Sequence, residues 1–148
     1  MTPSAAATTN EAPIPIHVLI ARRDYRPVVV DWHTVQELAL SFPEAEAAAE
    51  RRRAFSIRGK GFAWEARERD GGGLAVRVDR EEKQLLLDAN PAAYFTSPHY
   101  NGFPAIQIRL ERIDREELRE RLEDAWLIQS PKKLAAAYVA GADEVGAG

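Results

Sequence analysis

The stretch Ser97-Pro98-His99-Tyr100-Asn101-Gly102-Phe103-Pro104 brings an imidazole, a phenol and a carboxamide together in one short segment. Two prolines and a glycine make that segment a turn, and turns that bury little are where small domains commonly keep their function. A histidine held there suits a general base, a ligand contact or a phosphate contact, because imidazole changes charge near neutral pH. The structural alternative is a ring packed on the turn with its nitrogens bonded to backbone. No side chain adjoining His99 in sequence is an obvious catalytic partner, so no catalytic residue is assigned and the chain reads as a non-enzyme. His17 and His33 stand in unrelated contexts, no H-x-x-x-H spacing occurs and cysteine is absent, so no metal site and no cofactor are expected.

A second group of residues is basic. Arg51, Arg52, Arg53, Arg58 and Lys60 follow one another without an acidic residue, interleaved and flanked by Phe55, Phe62 and Trp64. Together with Lys132 and Lys133 they suit an anion-binding stripe built from phosphate contacts. The alternative is a solvated face over core aromatics. The carboxylates Glu116, Glu117, Glu120, Glu123 and Asp124 alternate with Arg115, Arg119 and Arg121 at helical spacing. That is the pattern of a stabilised exposed helix face and not of paired hydrolytic acids.

Bulk properties limit the partners. The 148 residues carry 20 Lys and Arg against 23 Asp and Glu, a net charge of -3, which excludes a globally basic nucleic-acid binder and leaves only a local patch. A hydrophobic share of 45% and a charged share of 29% fit one soluble globular domain. No apolar run approaches the roughly 18 residues of a membrane span. The N-terminal segment lacks a secretory signal, and the absence of cysteine fits a reducing cytoplasm.

The elements that must position these residues can be read in order. Residues 1–28 are rich in Ala, Thr and Pro, without periodicity, and are expected to form a flexible arm or to reflect an early start. The domain is expected over 29–140, with a fraying tail over 141–148. Asp31 caps a helix with an apolar face at Val35, Leu38, Ala39 and Phe42, stopped by Pro43. Glu44 to Arg53 is helix-prone. Strands follow at Ala54–Arg58, Phe62–Arg67 and Leu74–Val78, joined through Gly59-Lys60-Gly61 and Gly71-Gly72-Gly73; the triple glycine lacks a phosphate-loop pattern and reads as a hairpin turn.

Asp79 with Glu82 opens a helix over Arg80–Ala89, ended by Asn90-Pro91. Strands at Tyr94–Thr96 and Ala105–Leu110 flank the His99 turn. Asp114 with Glu117 opens a helix whose stripe is Leu118, Leu122, Ala125 and Trp126, with Trp126 in the core. Pro131 opens a last helix, Lys132 to Ala140. The order α-β-β-β-α-β-β-α-α predicts an α+β fold of two layers, an antiparallel five-stranded sheet with helices packed on it.

These segments resemble the MmcQ/YjbR family of small bacterial proteins from Asp31 to about Leu134. The resemblance rests on Asp31-Trp32, Leu38-Ala39-Leu40-Ser41-Phe42-Pro43, Phe55 to Ala63, Arg77-Val78-Asp79, the His99 turn, Asp124-Ala125-Trp126 and Ser130-Pro131-Lys132-Lys133-Leu134. It implies a secretion-chaperone-like two-layer fold and, by structural analogy, a double-wing DNA-binding role. The chain departs from the pattern at Ala105, where a large aromatic is usual, and at Ala47 to Arg53, which replaces a Gly/Pro-containing approach to the first strand.

Three functions compete on these grounds. The leading one is a non-enzymatic protein contacting DNA backbone through Arg58, Lys60, Arg77, Arg109, Lys132 and Lys133, with His99 and Tyr100 giving a directional or stacking contact. The second is a small-ligand or anion site, with or without catalysis, in which His99 converges with Arg77 and Arg109. The third is a protein-partner module using an exposed sheet face. A monomer is favoured, with no membrane partner.

Overall fold

Asp31 opens the first helix, α1 (Trp32–Ala39), by accepting the Thr34 N–H and the Thr34 hydroxyl, both at 3.0 Å. Those bonds hold the Asp31 carboxyl below its ordinary range. The computed structural model describes residues 30–49 and 53–147. The expected arm over residues 1–28, with His17, and the arginines Arg51 and Arg52 lie outside the described residues.

The strands are β1 (Ala45–Ala47), β2 (Ala54–Ile57), β3 (Lys60–Glu65), β4 (Leu74–Arg77), β5 (Tyr94–Phe95) and β6 (Ala105–Ile108). They form one antiparallel sheet in the order β1-β2-β3-β4-β6-β5. The remaining helices are α2 (Arg80–Ala89), α3 (Arg115–Gln129) and α4 (Lys132–Ala147), the last running beyond the expected end at Ala140. The α+β class and the two-layer arrangement are as the sequence predicts. The sheet has six strands and not five, because Ala45–Ala47 pairs with Phe55–Ile57 where a helix is locally favoured. Backbone pairing to an existing edge outweighs the weak helix preference of an Ala/Glu stretch with no apolar face.

Two local details also differ from expectation. The β2–β3 hairpin turns in two residues, Arg58 (φ 49°) and Gly59 (φ 83°), so Lys60 begins β3 and does not sit at the tip. Both central residues have the positive φ that a two-residue hairpin requires. Asp79 makes no side-chain cap bond, whereas Asp114 accepts the Glu117 N–H at 2.8 Å as expected.

The main core lies between the sheet and α1 and α3. Phe55, Phe62, Leu74, Val76, Ile106 and Ile108 meet Val35, Leu118, Leu122 and Trp126 there. Trp126 is fully buried, stacks on Phe42 at 6.0 Å and donates its indole N–H to the Pro43 carbonyl at 3.1 Å. A buried ring of this size, truncated to alanine, typically costs about 3–5 kcal/mol.

Candidate functional site

Alternation along β4 and β6 sends Leu74, Val76, Ile106 and Ile108 into the main core, and Ala75, Arg77, Ala105 and Gln107 to the opposite face. Register then places Trp64 beside Ala75, Ala75 beside Gln107, and Gln107 beside Phe95 in one row across that second face. A small second cluster forms there from Ala66, Ala75, Tyr100 and Ala105 with Trp64, and no helix residue belongs to it. Its cover is the 96–104 loop.

That loop is pinned at several points. Ser97 donates its hydroxyl to Gln107 Oε1 at 2.8 Å, and Trp64 Nε1 donates to the Tyr100 hydroxyl at 2.9 Å. From α2, the buried Lys83 ammonium donates to the carbonyls of Tyr100 at 2.6 Å and Phe103 at 2.8 Å. Arg80 reaches the Gly102 carbonyl at 3.3 Å. Burial, and secondarily Arg80, depress the Lys83 pKa; the two carbonyls are what keep a buried amine satisfied.

Gln107 is fully buried and serves two loops at once. Its Nε2 donates to the carbonyls of Asp70 at 2.8 Å and Gly72 at 2.9 Å while its Oε1 accepts from Ser97. The 3-10 turn Glu68–Asp70 and the His99 loop are thereby fixed to the same sheet position. Tyr100 is buried, with its ring between the edge of His99 at 4.8 Å, Phe103 and Trp64. It supports the loop from beneath, and His99 and Phe103 are left exposed.

The expected basic residues fall into separate groups. Arg58 forms a two-point ion pair with Glu44, at 2.8 and 3.0 Å, so its charge is neutralised. Lys60, Lys132 and Lys133 are exposed, and the Gln129 Nε2 bond to the Gly61 carbonyl at 2.9 Å brings the hairpin to the α3–α4 junction that carries the two lysines. Arg77 lies over the Phe103 ring at 5.2 Å and Arg109 over Phe95 at 4.3 Å, on the second face. Arg109 also donates to the carbonyls of Pro91 and Ala92, each at 3.2 Å.

Ion pairing separates the arginines of α3 from those on the second sheet face. Arg115, Arg119 and Arg121 on the helix layer all meet carboxylates, as do Arg53 and Arg58 at the β1–β3 end. Arg77 and Arg109 have no carboxylate at ion-pair distance among the described residues, and neither do Arg67 and Arg69.

The cleft that His99 lines includes neither Arg77 nor Arg109. This cleft, of about 260 Å³, is lined by Trp64, Arg67, Arg69, Asp70, His99 and Tyr100. Arg109 lines a different one of about 530 Å³, with Trp32, Gly71, Gly73 and Phe95. Arg67 and Arg69 escape sequence reading because Arg67-Glu68-Arg69-Asp70 looks like a balanced, solvated charge run. The one usable signal is the glycine run behind it, which marks a turn able to bring the pair back onto the sheet.

Among the described residues no group of three His, Asp or Glu side chains could hold a metal ion. No described helix is long and apolar enough to cross a membrane.

Comparison with known proteins adds the following. A family model described as YjbR matches residues 40–128. Uncharacterized protein Rv2570 of Mycobacterium tuberculosis and uncharacterized protein Mb2600 of Mycobacterium bovis are each 43% identical over 68 residues, 45% of this chain and 53% of theirs. The chain thus spans about half the length of the curated relatives it matches. A crystal structure of Deinococcus radiodurans protein DR2400, with a DUF419 domain, has the same fold. It has a TM-score of 0.56 at 18% identity, over 68% of this chain and 78% of that one.

Proposed function

The chain belongs to the YjbR family, and from that premise we propose that it is a non-enzymatic nucleic-acid-binding protein that holds DNA against the sheet face left uncovered by helices. The observation that carries this reading is the division of charge. Arg115, Arg119 and Arg121 on α3 are paired with carboxylates, whereas Arg67, Arg69, Arg77 and Arg109 on the helix-free side of the sheet have no such partner among the described residues. Guanidinium groups beside aromatic rings suit a backbone phosphate with a neighbouring base. Lys60, Lys132 and Lys133 extend the positive surface at the hairpin end. The overall charge of -3 means that binding must rest on this local patch.

The test is fluorescence anisotropy with labelled single-stranded and duplex DNA, at salt concentrations from about 50 to 200 mM. Binding should weaken steeply with salt, with a log-log slope of about -0.7 per phosphate contact for a single strand. Arg77→Ala/Arg109→Ala should lower affinity about tenfold and flatten the slope by about one to two contacts. Lys60→Ala/Lys132→Ala should give a smaller loss, and Arg115→Ala/Arg119→Ala on the helix layer should change little. Absent binding at low salt, or binding insensitive to salt, overturns the reading.

The partner-module alternative is the weaker one. Leu40, Leu85, Phe103, Ile128 and Val139 are exposed but belong to five different segments, and only Phe103 lies over the open sheet face.

A further inference from the structure

We infer that the cleft between the Glu68–Asp70 turn and the His99 loop is a binding site for a phosphate monoester, held by Arg67, Arg69 and His99. The two arginines stand two residues apart on one turn and line the cleft from one side, and His99 lines it from the other. Neither guanidinium is spent on an ion pair among the described residues. Asp70 also lines the cleft, so two guanidinium groups face one carboxylate and a single positive charge is left in excess.

The cleft is built before any ligand arrives. The Arg67 carbonyl accepts the N–H groups of Asp70 at 2.9 Å and Gly72 at 3.0 Å, which closes the turn that carries both arginines. Gln107 fixes that turn through Asp70 and Gly72, and fixes the opposite wall through Ser97. The Trp64–Tyr100 hydrogen bond joins two further lining residues, and Lys83 holds the Tyr100 and Phe103 carbonyls from behind. With the backbone of both walls already fixed, the ordering cost of binding falls on the donor side chains alone.

Size and chemistry select the ligand class. A volume of about 260 Å³ is below the 300–1,000 Å³ usual for drug-sized ligands, so the cleft suits a small anion or the end of a longer molecule and not a strand passing through. A carboxylate offers two oxygens, which a single guanidinium already matches bidentately. Two guanidinium groups and an imidazole supply donors for the three terminal oxygens of a phosphate monoester. Trp64 supplies a flat apolar surface beside them. The same terminal phosphate oxygens are offered by free phosphate, by a mononucleotide and by the phosphorylated 5′ end of a strand. The site stands on its own geometry and does not require the strand-binding role proposed above.

The experiment follows the Trp64 indole N–H and the His99 ring by NMR while inorganic phosphate, AMP, or an oligonucleotide with a 5′-phosphate or a 5′-hydroxyl is added. Saturable shifts at these two residues are expected with phosphate or AMP at concentrations up to about 10 mM. Arg67→Ala/Arg69→Ala should weaken them at least about tenfold, and Arg115→Ala/Arg119→Ala on α3 should leave them unchanged. Tighter binding of the 5′-phosphorylated strand than of its 5′-hydroxyl form identifies a strand end as the source. No saturable shift, or shifts that survive loss of both arginines, overturns the site. Equal binding of the two oligonucleotides with no response to phosphate or AMP overturns the site while leaving strand binding intact. A response to phosphate or AMP without oligonucleotide binding does the reverse.

Discussion

Gln107 on β6 accepts the Ser97 hydroxyl at 2.8 Å, while the other end of the same carboxamide donates to the backbone of the Asp70–Gly72 turn. One fully buried polar side chain therefore sets the spacing between the wall that carries His99 and the wall that carries Arg67 and Arg69. A buried polar group with all its bonds made is stabilising only as a complete set.

Gln107→Leu should accordingly be costly although leucine fits the volume. It strips the Asp70 and Gly72 carbonyls and the Ser97 hydroxyl of their partner, and the expected loss is about 2–5 kcal/mol in urea unfolding. The variant's His99 and Trp64 resonances should shift or broaden even where it remains folded. A loss of stability under about 0.5 kcal/mol would show that the two loops are held independently of Gln107.

The glycines of the two hairpins should differ sharply in tolerance. Gly73 has φ +81°, and a Cβ there would stand 2.7 Å from the Ile108 carbonyl oxygen, a backbone atom that cannot move aside. Gly59 has φ +83° but open space around it. Gly73→Ala should cost about 2–5 kcal/mol from left-handed strain and a steric clash together, and Gly59→Ala only about 1–2 kcal/mol from strain alone. Thermal melts of the two variants side by side test this, and equal losses would mean that the clash relaxes.

Alkaline pH should weaken the fold through Tyr94. Its hydroxyl donates to the Glu117 carboxylate, and burial first, then Glu117, raise its pKa above the ordinary 10.0. Above that value the unfolded chain releases the phenolic proton while the folded chain retains it. The contribution is therefore complete below the unfolded pKa and is lost as pH rises beyond it. Urea melts at about pH 8 and about pH 10.5 should show the stability difference between wild type and Tyr94→Phe narrowing at the higher pH. A difference independent of pH would mean that the Tyr94 hydroxyl titrates alike in both states. The paired comparison cancels the contributions of Lys83 and Tyr138, which are common to both proteins.

Much of the fold is legible in the residues because it rests on local rules. Apolar spacing places α1 and α3, the caps at Asp31 and Asp114 start them, and Trp126 on the α3 stripe is core. Alternation over Ala105–Ile108 identifies β6. The departures occur where a local preference meets a non-local partner. Ala45–Ala47 is drawn into the sheet by β2, and the Arg58 turn tightens to two residues against Glu44. The site was legible in part: His99 stands out by its turn, and Arg77 and Arg109 by the strand pattern. Arg67 and Arg69 do not, because a charge run of mixed sign carries no mark of which loop it will meet.

The amino-acid sequence by itself determined the class of fold, the order of its elements apart from β1, the absence of cysteine chemistry and the loop that displays His99. These follow from side-chain period, capping and turn chemistry, each confined to a few neighbouring residues. Only the tertiary structure decided which sheet face stays free of helices, which cations lose their charge to carboxylates, and which arginines stand beside His99. Those outcomes depend on strand register and on the Gln107 bonds that bring the Arg67–Gly72 turn to the Ser97–Tyr100 loop, contacts between segments far apart in the chain.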